Sequence, residues 1–415
     1  MGLRFYYGWW IVIGAILCNF VSLSVGTSSI GVFTFPIVDD LGWKVWQYSL
    51  GPSIAIGAGA LSSVLVGNIL DQKGPKPLIL LGSLVSAFCL GMLGIQSNLI
   101  VYLSLYFIAG FGGWNLFSSF VVNSVISKWF IVKRGWALAF GSAGISLGSL
   151  VTPVLLTGIV DSLGWRIGYF ALCVLVVIVI IPVSFLMRRT PEDYGLLPDG
   201  VADKNQFDYA NLPRSEMNPL NRSQAIKTQS FWLLVFGFTL ISAGLTCVLI
   251  HAIPFTQMAG FTRVVGAIGI SVNGFANLFS KTIWGYSMQK FHPRVLVMIA
   301  YSLSALGVGM MLLSNMFSFA PILMAGFFLY GFGFGGTIPL SGSIWARYFG
   351  RENIGSITGI TQPVRIFGTA VAPVLISLWF DNTNEYGPGF MAVIVALLLG
   401  ASLVFFSREP HIRDL

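Results

Sequence analysis

Long apolar stretches separated by short polar breaks run through the whole chain. Stretches of 18 or more mostly apolar residues recur about twelve times, near 9–36, 47–70, 77–97, 99–126, 136–160, 165–187, 231–255, 264–288, 295–314, 318–345, 355–379 and 387–407. Each is long enough to cross a hydrocarbon layer of roughly 30 Å as a helix. The longest leave room for tilt or for a water-exposed turn. Composition turns this pattern into a class: of 415 residues 55% are hydrophobic and 9% charged, with a mean hydropathy of +0.82. A soluble domain carries about 25% charged residues. The expectation is an all-α membrane protein with twelve transmembrane helices.

The net charge of +8 would suit a nucleic-acid binder, but its distribution argues otherwise. Counting spans from a cytoplasmic N-terminus, eighteen Lys and Arg fall in inner segments and only Lys44, Arg166 and Arg263 in outer loops. That asymmetry is the positive-inside rule and predicts both termini in the cytoplasm. The lean loops and short tails suggest the inner (cytoplasmic) membrane of a prokaryote. Cys18, Cys89, Cys173 and Cys247 lie inside apolar spans at unrelated spacings, which reads as packing rather than as a metal or disulfide site. The first span is too long for a signal-peptide core and should remain as a helix.

The two halves repeat. Pro36, Gly42 and Gly67 match Pro254, Gly260 and Gly285 at an offset of about 218, without a gap. Gly112, Phe130, Gly148 and Pro153 then match Gly331, Phe349, Gly368 and Pro373 at a slightly larger offset. This predicts six-helix bundles at 1–187 and 231–415 joined by a polar cytoplasmic linker at 188–230. Two six-helix repeats are the plan of the major facilitator carriers.

Four motifs carry a resemblance to that superfamily. Gly67-Asn-Ile-Leu-Asp71-Gln-Lys73-Gly74-Pro-Lys76 resembles its cytoplasmic signature after the second span, with a degenerate copy at Gly285-Tyr-Ser-Met-Gln289-Lys290. Trp129-Phe130-Ile-Val-Lys133-Arg134-Gly135, followed by Ala143-Gly144, resembles the oxalate:formate antiporter and monocarboxylate porter branch. So does Gly331-Phe-Gly333-Phe-Gly335-Gly336, followed by Tyr348-Phe349-Gly350, and Pro191-Glu-Asp-Tyr-Gly195 with Pro198-Asp-Gly200 is similar to the start of that branch's central loop. The resemblance implies gating roles for Asp71, Lys73 and Arg134, with Asp71 close to Arg134 and to the start of the eleventh helix. A carboxylate there is favoured by the helix dipole.

Candidate chemistry centres on two cations. Lys281 and Arg365 lie in the middle of apolar spans, and no such span contains an Asp or Glu. Burying a charge at this depth costs roughly 2.5–3.5 kcal/mol unless it faces a wet cavity or a partner. A substrate that brings negative charge would complete the arrangement. The resemblance implies the same: the branch places an Arg at the position of Lys281 and, in oxalate:formate antiporters, a Lys at that of Arg365. Here the two cation types are exchanged, which keeps charge but alters geometry, because Arg is a planar fork and Lys a point charge. Asn277 stands one turn before Lys281, where animal-type monocarboxylate porters carry an Asp. Asn cannot ionise, so a proton would travel on His251 or on the substrate, or the protein exchanges anions without one. Asn115, Phe117 and His251 fall where the resemblance puts pocket residues, and Tyr330, Phe334 and Gln362 are placed to line a cavity.

The resulting expectation is a secondary transporter of small organic anions, a monocarboxylate or a small dicarboxylate, working by alternating access and coupled to a proton or a counter-anion. It would be monomeric, lipid-embedded, without cofactor, metal or nucleic-acid partner, and not an enzyme, since no nucleophile–base pair, metal cluster or phosphate loop is present. A neutral-solute carrier would leave both cations unexplained. Drug efflux commonly uses an intramembrane acid, which these spans lack.

Overall fold

The computed structural model describes residues 6–43, 45–200, 219–317, 319–383 and 385–410, and among these no strand occurs. In the first half, α1 runs as Gly8–Leu23, a π-turn over Ser24–Ser28, and Ile30–Leu41. Then come α2 (Val45–Lys73), α3 (Pro75–Leu93), α4 in two parts (Leu99–Gly112 and Ser119–Trp129), α5 in two parts (Arg134–Gly141 and Ala143–Leu163) and α6 (Trp165–Leu186). The second half has α7 (Gln229–Met258), α8 (Arg263–Ser287) and α9 (Pro293–Phe317). It ends with α10 (Ala320–Phe334 and Thr337–Phe349), α11 (Ile354–Gly359 and Gln362–Thr383) and α12 (Gly387–Phe406). Each of the twelve predicted spans is helical among the described residues. Among the described residues 11 helical spans are long and apolar enough to cross a membrane, and α8, bearing Asn273, Asn277 and Lys281, is the more polar exception.

The repeat shows in local geometry. Gly42 and Gly260, repeat partners just past α1 and α7, both have positive φ (66° and 81°), which a residue with a Cβ rarely adopts. Breaks recur too. α4 is interrupted over 113–118 and α10 over 335–336, while α5 breaks at Ser142 and α11 at Ile360–Thr361. In α11 the cause is Pro363, which has no N–H for the Gly359 carbonyl four residues back. The Ser63 hydroxyl lies 3.1 Å from that carbonyl.

The chain forms two compact units: Met1–Pro219 with Gly350–Pro363, and Leu220–Phe349 with Val364–Leu415. The first unit thus takes in the first part of α11, from the second repeat. That part seats on α2 through small residues four apart on both helices, Ser63 and Gly67 against Gly355 and Gly359. A Cβ on Gly67 would overlap the Gly355 carbonyl, and one on Gly359 would stand 2.6 Å from the Ser63 carbonyl oxygen. Backbone touches backbone there, as small-residue spacing allows.

The start of the predicted linker is folded, whereas its centre, 201–218, lies outside the described residues. Arg188 is sandwiched between the rings of Tyr7 (4.0 Å) and Tyr194 (4.1 Å). Arg189 binds Asp193 through two bonds of 2.8 Å, which holds the Asp193 carboxyl below its ordinary range. Asp199 accepts from three successive backbone N–H groups, those of Ile131, Val132 and Lys133, each at 2.9 Å. Glu192 pairs with Arg351. Farther on, a short helix, Arg222–Lys227, opens with a capping box made by Asn221 and Gln224.

Candidate functional site

In the first unit, Asp71 ends the face of α2 that carries Ser63 and Gly67. Its carboxylate accepts from the backbone N–H groups of Gly355 (3.2 Å) and Ser356 (2.6 Å), the free donors at the start of α11. Lys128 donates to it at 2.6 Å, the two side chains being only 3% and 9% exposed. Arg134, also buried, directs Nε to the Phe130 carbonyl (2.9 Å) and Nη2 to that of Ser127 (3.1 Å). Lys73 is exposed. Lys128 therefore supplies a cation that spacing alone did not single out.

Asn115 sits in the break of α4, where its amide donates to the Gly59 carbonyl (2.9 Å) and the Ser62 hydroxyl (2.8 Å) on α2. Both of its hydrogens are thereby used. Phe117 is fully buried in the core of the first unit. A residue that sequence reasoning passed over, Asn19, joins two breaks. Its amide donates to the Gly141 carbonyl (2.9 Å) at the break of α5, and its oxygen accepts from Ser119 (2.7 Å), the first residue after the break of α4. Gly141 needs this donor because Ile145 N–H turns to Ser142 instead. An amide alone in an apolar span was the available signal.

Both candidate cations belong to the second unit. Lys281 is 6% exposed on α8, with Asn277 one turn before it and the buried Asn273 two turns before it. Arg365, half-buried, follows the break of α11 and lies two residues past Pro363; Gln362 opens the same helical part, on the first unit's share of the chain. His251 is buried on α7, where Nε2 lies 3.2 Å from the Pro373 carbonyl of α11. A carbonyl only accepts, so Nε2 carries the hydrogen. Tyr330 on α10 is fully buried and donates to the Leu245 carbonyl of α7 at 2.5 Å, and the half-buried Phe334 ring is 6.0 Å from it. The structure thus brings His251 to α11 and Tyr330 to α7, while Asn115 and Phe117 belong to the other unit.

Every Asp and Glu on these twelve helices is confined to a last turn: Asp39, Asp40, Asp71, Asp161 and Asp381. Among the described residues no group of His, Cys, Asp and Glu could hold a metal ion.

Known proteins fit this architecture. The chain is 21% identical over 357 residues to the oxalate:formate antiporter of Oxalobacter formigenes, covering 85% of this chain and 81% of that protein. It is 22% identical over 443 residues to monocarboxylate transporter 2 of Mesocricetus auratus, covering 98% and 85%. Its fold matches the proton:xylose symporter XylE with a TM-score of 0.75 at 13% identity, over 97% and 96% of the two chains. The sequence profile of the Major Facilitator Superfamily matches residues 14–373 and, again, 268–414. A multi-pass carrier rather than an enzyme, the chain belongs to the Major Facilitator Superfamily.

Proposed function

We propose that the protein carries small carboxylates across the inner membrane by alternating access, with Lys281 and Arg365 binding the carboxylate group. The reading rests on one observation above others: two cations lie within apolar helices of the second unit, Lys281 buried in α8 and Arg365 in the first turn after the break of α11, while the acids of these helices are confined to last turns. The names of the two sequence relatives support it, and so does the cationic bias that would place both termini in the cytoplasm. The end of the first unit that bears Asp71 and Lys128 would then be the inner gate, held shut by the start of α11. The carrier acts as a monomer, six helices on each side of the linker.

A dianion can engage both cations end to end, and a monoanion can share them. A monoanion moved alone would feel about 2.3 kcal/mol per 100 mV. Asn277 cannot relieve that by carrying a proton. His251 and the acid itself can, and anion exchange needs neither. Asn277, Tyr330, Phe334 and Gln362 would set the size and polarity of the pocket.

Uptake of labelled formate, lactate, oxalate and xylose into proteoliposomes tests the reading. Lys281→Gln and Arg365→Gln should each weaken transport of the preferred acid about 10- to 100-fold, the value of a lost charge-assisted hydrogen bond. Transport of xylose that survives both substitutions, with no acid carried, would overturn it in favour of a neutral solute.

A further inference from the structure

The glycine run of α10 serves two neighbours. Gly331 and Gly335 face α8, where a Cβ would overlap the carbonyls of Asn273 and Asn277, and Gly333 faces the Ala300 carbonyl of α9. Between α8 and α10 there is consequently backbone against backbone. Such a contact is close, and side-chain atoms of α8 share it: Ser280 Oγ would overlap a Cβ on Gly335, and Asn273 Oδ1 would stand 2.7 Å from one on Gly331.

Directional bonding adds to this packing. At the break of α10, Gly336 N–H turns to the Gly333 carbonyl (3.1 Å). That leaves the Phe332 carbonyl, whose helical donor Gly336 would have been, without its backbone partner. Trp284 Nε1 donates to it at 2.9 Å. Trp284 is 3% exposed, lies three residues after Lys281 on α8, and stacks edge-on against Phe332 with ring centroids 5.6 Å apart. A residue three positions along a helix shares its face. The indole therefore fixes the height and rotation of α8 against the break, one turn from the cation.

We propose that Trp284 is a positioning residue for Lys281: its N–H locks α8 to the broken segment of α10 and so sets where the ammonium group meets the carboxylate. The proposal rests on the carboxylate reading of Lys281. It also makes the break of α10 a participant, because any change in the break moves the Phe332 carbonyl and with it the helix that holds the cation.

Two substitutions separate donor from bulk. Trp284→Phe keeps an aromatic ring and loses the N–H; Trp284→Gln keeps an N–H donor and loses the ring. With the preferred acid among formate, lactate and oxalate, the half-saturating concentration should rise about tenfold in Trp284→Phe, the factor that one net hydrogen bond carries. It should rise less in Trp284→Gln. Melting temperature should rank in the opposite order, Trp284→Phe above Trp284→Gln, because the glutamine leaves a larger void. Opposite rankings support a positioning role. Parallel rankings, with Trp284→Gln worse in both, mean that ring volume alone matters and overturn the proposal. Lys281→Gln is run beside them. If it transports acids like the native protein, the carboxylate reading falls and this proposal with it; if it is inactive while Trp284→Phe saturates normally, only the positioning role falls.

Discussion

Replacing Asp71 by Asn tests the reading of the buried pair most directly. The carboxylate accepts Lys128 Nζ at 2.6 Å and Ser356 N–H at 2.6 Å, with the lysine side chain 3% exposed. Asn can keep one acceptor, for Ser356 N–H, while its NH2 then faces both Gly355 N–H and Lys128, so the largest loss falls on Lys128, left charged and buried. Breaking one partner of such a pair costs about 3–5 kcal/mol, most of it the penalty of the stranded charge. Unfolding entropy of about 2.1 cal/mol/K per residue gives roughly 0.5 kcal/mol/K for a unit of this size, so the melting temperature should drop by about 6–10 °C. The double variant Asp71→Asn/Lys128→Met removes the stranded charge and should regain more than half of that loss, a coupling that a double-mutant cycle reads directly. Thermal scans of the purified protein in one detergent, at one scan rate, provide the comparison. A double variant as unstable as the sum of its singles would refute the argument, since the two side chains would then be energetically independent.

Other outcomes follow from single sites. On α2, Gly57→Ala should be neutral or stabilise by up to about 1 kcal/mol, since nothing lies within 4 Å of the added carbon. Gly67→Ala on the same helix should destabilise by about 1–3 kcal/mol, because the Gly355 carbonyl occupies that space; equal melting temperatures would contradict this. Burial alone would raise the Glu409 carboxyl, but hydrogen bonds from His292 and Arg347 bring it down to about 2 from 4.5. Its stabilising contribution is therefore complete above pH 4.5 and lost as pH falls toward 2, and Glu409→Gln should flatten the melting profile across that window. Asp199→Ala strands three backbone donors on the loop 131–133, so trypsin should cut at Arg188 and Arg189 about tenfold faster at unchanged overall fold; an unchanged rate would mean the segment is held elsewhere.

Much of the helical frame was legible because apolar length is a one-dimensional signal, and the offset between halves is equally local. Facing is different. That the glycines at 331 and 335 meet one helix and the glycine at 333 another depends on how three helices cross. Spacing in the motif after α2 singled out Asp71, but which of Lys128 and Arg134 pairs with it at 2.6 Å depends on how α4 turns beside α2. The resemblance gives Asn115 as a pocket residue, but says nothing of what its amide hydrogens bind. The break of α4 around it decides that its amide is spent on Gly59 and Ser62. Pro363 was visible as a residue, yet its effect on the Gly359 carbonyl needed the position of Ser63.

The first unit has a consequence for attempts to divide the chain. A polypeptide cut in the 201–218 segment would release a six-helix fragment that lacks Gly350–Pro363, fourteen residues that belong to its own packing. Its α2 would present a bare strip, Ser63, Gly67 and Asp71, with Lys128 beside it. Expressed alone, such a fragment should be prone to wrong association; expressed with its complement, the two pieces should find each other through that strip, without a covalent tether.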